Sequence, residues 1–90
     1  IADGLLTSLG DKTFPVIRDN VKEVITVTDE EIIAAMRTIW EKLKVIVEPS
    51  ASVVLPAILK TNGMFKGKKV GVIFSGGNVD LEKVISMMTK

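Results

Sequence analysis

The sequence predicts an α/β fold, a partial open parallel sheet with flanking helices. Three short runs rich in β-branched residues, at residues 23–27, 45–47 and 70–74, are typical of buried strands. Segments with helical periodicity separate these runs, and this alternation favours parallel pairing through right-handed crossovers. Because a parallel sheet needs both faces covered, three strands and four helices complete it only in part. We therefore expect residues 1–90 to be a single segment of a larger domain, which also fits a chain that starts at Ile1 rather than Met.

The first predicted helix covers residues 13–21 and follows a loop over residues 1–12. Pro15 lies in its first turn, where a missing N–H costs little. The apolar residues on one face are Phe14, Ile17 and Val21. We expect this element to be a packed surface helix.

A capping box predicts the start of the second helix. The Thr28 hydroxyl is expected to accept from the Glu31 amide, and the Glu31 carboxylate to reach back. We favour this interpretation over a catalytic pair of carboxylates, because acidic residues suit a helix N-terminus. The helix runs to about Lys44, and we interpret Trp40 as a core or interface residue rather than a stacking platform. Its apolar stripe contains Ile32, Ile33, Met36, Ile39, Trp40 and Leu43.

The third helix is predicted over residues 50–60, opened by Pro49 and buried on nearly every side. Pro56 removes one backbone hydrogen bond and should kink it. Glu48 lies between a buried strand and this helix, where a carboxylate needs a partner. Two interpretations stay open: Glu48 caps the helix or makes a buried hydrogen bond, or it is an acid in a ligand site.

The last third of the chain contains a predicted surface turn over residues 61–68, marked by Asn62 and Gly63. A closing helix is predicted over residues 79–88. Its apolar residues are Leu81, Val84, Ile85 and Met88.

The strand predicted at residues 70–74 runs directly into Ser75, Gly76, Gly77 and Asn78. Adjacent glycines let the backbone turn sharply and approach a neighbour closely. In an open α/β sheet, ligands bind beyond the carboxyl ends of the strands. The motif is therefore either a wall for a small polar molecule or an ordinary turn between a strand and a helix, and both interpretations stay open.

The composition excludes several classes of function. With 47% hydrophobic and 26% charged residues the chain is globular, and a net charge of +1 gives no nucleic-acid or membrane-surface footprint. The longest uncharged run, residues 49–59, is too short to span a bilayer. Because the chain contains neither Cys nor His, it carries no common zinc site, thiol nucleophile or His-based triad. The lack of Cys permits a reducing compartment, and we expect a cytoplasmic protein.

Four motifs together resemble a known enzyme family. They are IADGL at residues 1–5, TVTDEEI at 26–32, VEPSA at 47–51 and SGGNVD at 75–80. In this order and spacing the chain is similar to the C-terminal part of serine racemases, short threonine/serine dehydratases and hydroxyaspartate ammonia-lyases. These are fold-type II enzymes that use pyridoxal phosphate (PLP). The resemblance covers essentially the whole chain.

The resemblance implies a role for the turn after the third strand. In the family, the serine of this motif hydrogen-bonds the pyridine nitrogen of PLP, so Ser75 inherits that role. A hydroxyl carries no charge to keep the nitrogen protonated, and the ring is then a milder electron sink. A milder sink suits loss of the α-proton followed by β-elimination or reprotonation. Gly76 and Gly77 would permit close approach of the backbone to the ring.

Other positions take their expected roles from the same resemblance. It places Glu48 near the cofactor, Gly4 in the wall of the cofactor pocket and Thr7 near the substrate carboxylate. Ser52 stands where the family usually has Gly, which puts the local helix packing in question.

The resemblance also implies what lies outside the chain. The lysine that bonds the cofactor, the Gly-rich phosphate cradle and the carboxylates for a divalent metal (Mg or Ca) all belong to upstream segments. We therefore expect no catalytic residue and no metal ligand in this segment, which alone should be inactive. Lys42 and Lys44 match positions that bind an ATP activator near a dimer interface. Expected partners are an amino-acid substrate, the rest of the enzyme chain and a second copy in a homodimer.

The expected function is PLP-dependent dehydration (ammonia-lyase action) or racemisation of serine, threonine or a related β-hydroxy amino acid. One alternative is a 3-hydroxyaspartate ammonia-lyase, which needs an extra basic group for the second carboxylate. Another is a non-catalytic binding domain that has kept the fold. Retention of Ser75 and Glu48 argues against the last alternative, because a chain freed from the cofactor need not keep either residue.

Overall fold

The computed structural model describes residues 1–61 and 63–89. In these residues a 3₁₀ turn at Asp3–Leu5 precedes the α-helices. The helices are α1 (Thr13–Asn20), α2 (Asp29–Leu43), α3 (Pro49–Ser52), α4 (Val54–Leu59) and α5 (Leu81–Met88). No helix within the described ranges is long and apolar enough to cross a membrane.

The predicted parallel sheet is not confirmed, because no strand is present among residues 1–61 and 63–89. The runs at residues 23–27, 45–47 and 70–74 lie between the helices without a ladder of backbone hydrogen bonds. Apolar side chains of these runs are exposed, and Val24 and Ile73 reach 80%. A strand exists only when a neighbour takes up its N–H and C=O groups. Within this segment, the three runs do not pair their N–H and C=O groups with one another in a ladder.

Helix α2 confirms the predicted cap and organises the packing. The Glu31 amide donates to the Thr28 hydroxyl at 3.1 Å, as the capping box requires. The return contact predicted for the Glu31 carboxylate is wrong, since Glu31 Oε2 instead lies 3.1 Å from Lys60 Nζ at the end of α4. The helix ends one residue before the predicted Lys44, which closes it in the left-handed conformation with φ 59°.

The core consists of two small clusters on one side of α2. The first joins α2 to α5 and contains Ile32, Met36 and Val84. The second joins α2 to the chain before and within α3 and contains Ile39, Val47 and Ala51. Trp40 is half-buried and packs against both clusters, which confirms it as a core residue.

The third predicted helix is two short helices rather than one kinked helix. Pro56 has no N–H to donate to the Ser52 carbonyl, so the ladder of i to i−4 bonds is interrupted where α3 ends. Val53 forms the turn between α3 and α4. Ser52 is fully buried, and its hydroxyl donates to the Glu48 carbonyl at 2.8 Å. The serine therefore fits a position where the resemblance leads one to expect glycine.

The remaining helices have the predicted positions but different packing. Helix α5 starts two residues later than expected, because the Asp80 carboxylate caps it by accepting from the Lys83 amide at 3.2 Å. Helix α1 has no buried residue, and Phe14 is 50% exposed. Its predicted packing is therefore not seen within this segment. Of the predicted turn at residues 61–68, Asn62 lies outside the described residues, and Gly63 has a left-handed φ of 83°.

Candidate functional site

Residues 46–50 lie between two loops that are far apart in the sequence, and we call this segment the seat. One loop is the first ten residues of the chain, which contain the 3₁₀ turn. The other is the Ser-Gly-Gly-Asn turn at residues 75–78. The seat contacts the two loops through different atoms. It includes the buried Val47 and the first two residues of helix α3.

The turn at residues 75–78 packs tightly on the first half of the seat. The Glu48 amide donates to the Gly76 carbonyl at 3.1 Å. A Cβ atom on Gly76 would collide with Glu48 Oε1, and one on Gly77 would lie 2.6 Å from the Ile46 carbonyl oxygen. Neither glycine has a left-handed φ. Gly77 therefore needs glycine because backbone approaches it, whereas at Gly76 the close atom is the end of a flexible side chain. The reason expected from the sequence was instead a turn or a ligand.

The N-terminal loop is attached to the other end of the seat. The Gly4 amide donates to Ser50 Oγ at 2.9 Å. A Cβ atom on Gly4 would lie 2.8 Å from that same oxygen, so the close approach requires glycine. Ser50 was not predicted as a site residue. Its signals in the sequence are its place in the VEPSA motif and a small hydroxyl in the first turn of a helix. Such a hydroxyl is common in proteins without any such role.

The Glu48 carboxylate does not perform the capping role that one interpretation gave it. Glu48 is the residue before α3, but its side chain makes no capping hydrogen bond. Instead the carboxylate lies against Gly76 and lines a cavity of about 210 Å³. Asp3, Asn78 and Lys83 also line this cavity, together with apolar residues that include Val84 and Met87. It is therefore a space of mixed polarity between the two loops and α5. The capping part of the first interpretation is therefore wrong, and an acid beside a ligand site stays a prediction.

The structure leaves the other four predicted site residues exposed. Ser75 and Thr7 are exposed, so both hydroxyls are open to a ligand. Lys42 and Lys44 are also exposed, at the C-terminal end of α2. The structure thus brings Gly4, Glu48 and Gly76 together around the seat. It does not bring the two lysines into that group.

These features define an α-helical segment in which Ser50 and three closely packed glycines hold two loops against residues 46–50. The protein family described as "Pyridoxal-phosphate dependent enzyme" matches residues 1–76 of the chain. The chain therefore belongs to the family of pyridoxal-phosphate dependent enzymes.

Curated relatives narrow the comparison within this family. The chain is 51% identical over 90 residues to a serine racemase of Dictyostelium discoideum, covering 98% of this chain and 28% of the relative. It is 49% identical over 84 residues to a β-hydroxyaspartate dehydratase of Paracoccus denitrificans, covering 93% of this chain and 27% of that relative. The chain thus spans little more than a quarter of the length of these enzymes.

Solved structures of serine racemases are similar to this chain in both sequence and fold. A maize serine racemase superposes with a TM-score of 0.85 at 46% identity, covering 99% of this chain and 30% of that chain. The crystal structure of the Dictyostelium discoideum serine racemase gives a TM-score of 0.81 at 55% identity, covering 89% and 27%. The segment therefore has the fold of the corresponding part of these racemases.

Proposed function

We propose that these residues are the C-terminal portion of the PLP-binding large domain of a serine racemase or a short serine/threonine dehydratase. The observation that carries the proposal is that the seat brings together glycines and a carboxylate from three separated motifs. Gly4, Glu48 and Gly76 are 44 and 28 residues apart in sequence, by subtraction of their numbers. Similarity along 98% of the chain to an enzyme named serine racemase supports the same assignment.

The residues present fit PLP as the cofactor. When bound, PLP withdraws electrons from the α-carbon of an amino acid. The exposed Ser75 hydroxyl would donate a hydrogen bond to the pyridine nitrogen. Gly4 would form part of the pocket wall, and Thr7 would hold the substrate carboxylate. The Glu48 carboxylate, with no capping bond to make, is free to face the bound group.

A 3-hydroxyaspartate ammonia-lyase is the second candidate. Relatives with this name occur in a Pseudomonas species at 44% identity and in Saccharomyces cerevisiae at 42%. Such an enzyme needs a cation for the second carboxylate of its substrate. Lys83 lines the cavity beside Glu48 and would supply one.

The proposal extends to the complete enzyme. We propose that the rest of the enzyme chain pairs with residues 23–27, 45–47 and 70–74 to complete the parallel sheet. It would also supply the catalytic lysine and the ligands for a Mg or Ca activator. Lys42 and Lys44 would contact an ATP activator near a homodimer interface. The absence of Cys from this segment is compatible with a cytoplasmic enzyme.

The test is an assay of the full-length protein with PLP. L-serine should yield D-serine or pyruvate, whereas 3-hydroxyaspartate should yield oxaloacetate if the second candidate is right. Ser75→Ala should lower the activity and shift the absorbance of the bound cofactor, because the ring nitrogen loses its partner. Ser86→Ala, at an exposed serine of α5, is the matched control and should change neither. A full-length protein that does not bind PLP would leave only the non-catalytic binding domain.

A further inference from the structure

We propose that residues 46–50, the seat, set the positions of the two loops independently. Gly77 would position the turn at residues 75–78, which carries Ser75 toward the cofactor, and Ser50 would position the loop at residues 1–10, which carries Thr7 toward the substrate. Both are positioning residues, since they act through Ser75 and Thr7 rather than on the reacting atoms. The inference rests on the proposed function and adds to it two residues whose roles should be separable by measurement.

The contact at Gly77 is the more rigid of the two glycine contacts. A Cβ atom on Gly76 meets the end of the Glu48 side chain, which can rotate away. A Cβ atom on Gly77 meets the Ile46 carbonyl oxygen at 2.6 Å, and a backbone atom cannot rotate away. The adjacent Val47 is buried in the core, so the seat resists displacement. Any added side chain at Gly77 must therefore move the loop, and Ser75 is two residues away.

The hydrogen bond at Ser50 holds the loop at residues 1–10, whose side chains are mostly exposed. Of residues 1–10, all except Ala2 are exposed. The hydrogen bond from the Gly4 amide to Ser50 Oγ ties this loop to the first turn of α3. Thr7 lies three residues beyond Gly4, so the position of its hydroxyl depends on that bond. Loss of the Ser50 oxygen should loosen the substrate side and leave the cofactor side unchanged.

The cofactor arm of the experiment compares Gly77→Ala with Gly10→Ala in the full-length enzyme. Gly10 is also an exposed loop glycine, but among the described residues a Cβ atom there comes nearest to Thr13 Oγ1, at an ordinary contact distance of 3.5 Å. Gly77→Ala should raise the Kd for PLP about tenfold or more, equivalent to about 1.4 kcal/mol, and shift the cofactor absorbance. Gly10→Ala should leave the Kd for PLP and the cofactor absorbance at the wild-type values. The melting temperatures of the cofactor-free variants show whether a substitution destabilises the whole protein rather than only its PLP site. Equal PLP affinity and spectra for the two variants would overturn the role of Gly77.

The substrate arm compares Ser50→Ala with Ser50→Thr, which restores the hydroxyl. Ser50→Ala should raise KM for the amino acid about three- to tenfold, the range expected for one lost hydrogen bond, while the Kd for PLP stays constant. Ser50→Thr should recover most of that loss. An unchanged KM in Ser50→Ala, or a parallel rise in the Kd for PLP, would overturn independent positioning.

The two arms also separate this inference from the proposed function. A wild-type enzyme that binds no PLP contradicts the proposed function. A wild-type enzyme that is active, with Ser50→Ala unaltered, contradicts only the positioning roles. If Gly77→Ala does not fold, the Ser50 variants still test independence, because Ser50→Ala must raise KM while the Kd for PLP stays constant.

Discussion

Trp40 makes the hydrogen bond that fixes the seat to helix α2. Its indole N–H donates to the Val47 carbonyl at 3.1 Å, and Val47 is only 1% exposed. The substitution Trp40→Phe keeps an aromatic ring between the two core clusters but removes the donor. The Val47 carbonyl would then be buried without a partner among the described residues.

The expected cost follows from that unpaired carbonyl. A buried polar group that loses its partner costs about 1–3 kcal/mol. Thr38→Val, in the same helix, is the matched control because it also removes a side-chain bond to a carbonyl, Thr38 Oγ to Ala34 O at 3.0 Å. That bond is exposed, and the helix ladder still pairs the carbonyl. The control should therefore change the free energy of unfolding by no more than about 0.5 kcal/mol.

The assay is urea unfolding of the cofactor-free full-length protein, with the midpoint and slope fitted for each variant. We expect a clear fall in the midpoint for Trp40→Phe at an unchanged slope. A Trp40→Phe protein as stable as the Thr38→Val protein would refute the reasoning. In that case the indole would contribute through packing alone.

Two further predictions concern α2. Thr28→Ala should lower the stability of the first turn of α2 by about 1 kcal/mol, because the helix loses its cap. Faster hydrogen exchange of the Glu31 amide would measure this loss. Thr28→Ser keeps the oxygen and should not differ from the wild type. Met36→Ala should cost about 2–5 kcal/mol in thermal unfolding because Met36 is 1% exposed. Leu43→Ala is its control, since Leu43 is 58% exposed, and equal losses in the two variants would contradict the assigned core.

The site was only partly predictable from the sequence. Glu48, Gly4, Gly76 and Gly77 could be named because their motifs resemble a family, and the structure places all four at the seat. Ser50 lies in the same motif as Glu48 but was not named, because the motif does not show that its hydroxyl meets the Gly4 amide 46 residues away. The choice between two interpretations of Glu48 also needed the structure, because only the position of its carboxylate shows that it does not cap α3.

The sequence by itself determined the helices, because their hydrogen bonds and caps connect residues that are near neighbours in the chain. Thr28 and Pro56 act within four residues, so their effects could be derived without a fold. Tertiary structure alone decided which loops meet at residues 46–50 and why Gly77 must be glycine. It also decided that residues 23–27, 45–47 and 70–74 carry no strand here. Strand pairing and loop contacts join distant parts of a chain, and local composition does not specify the partner.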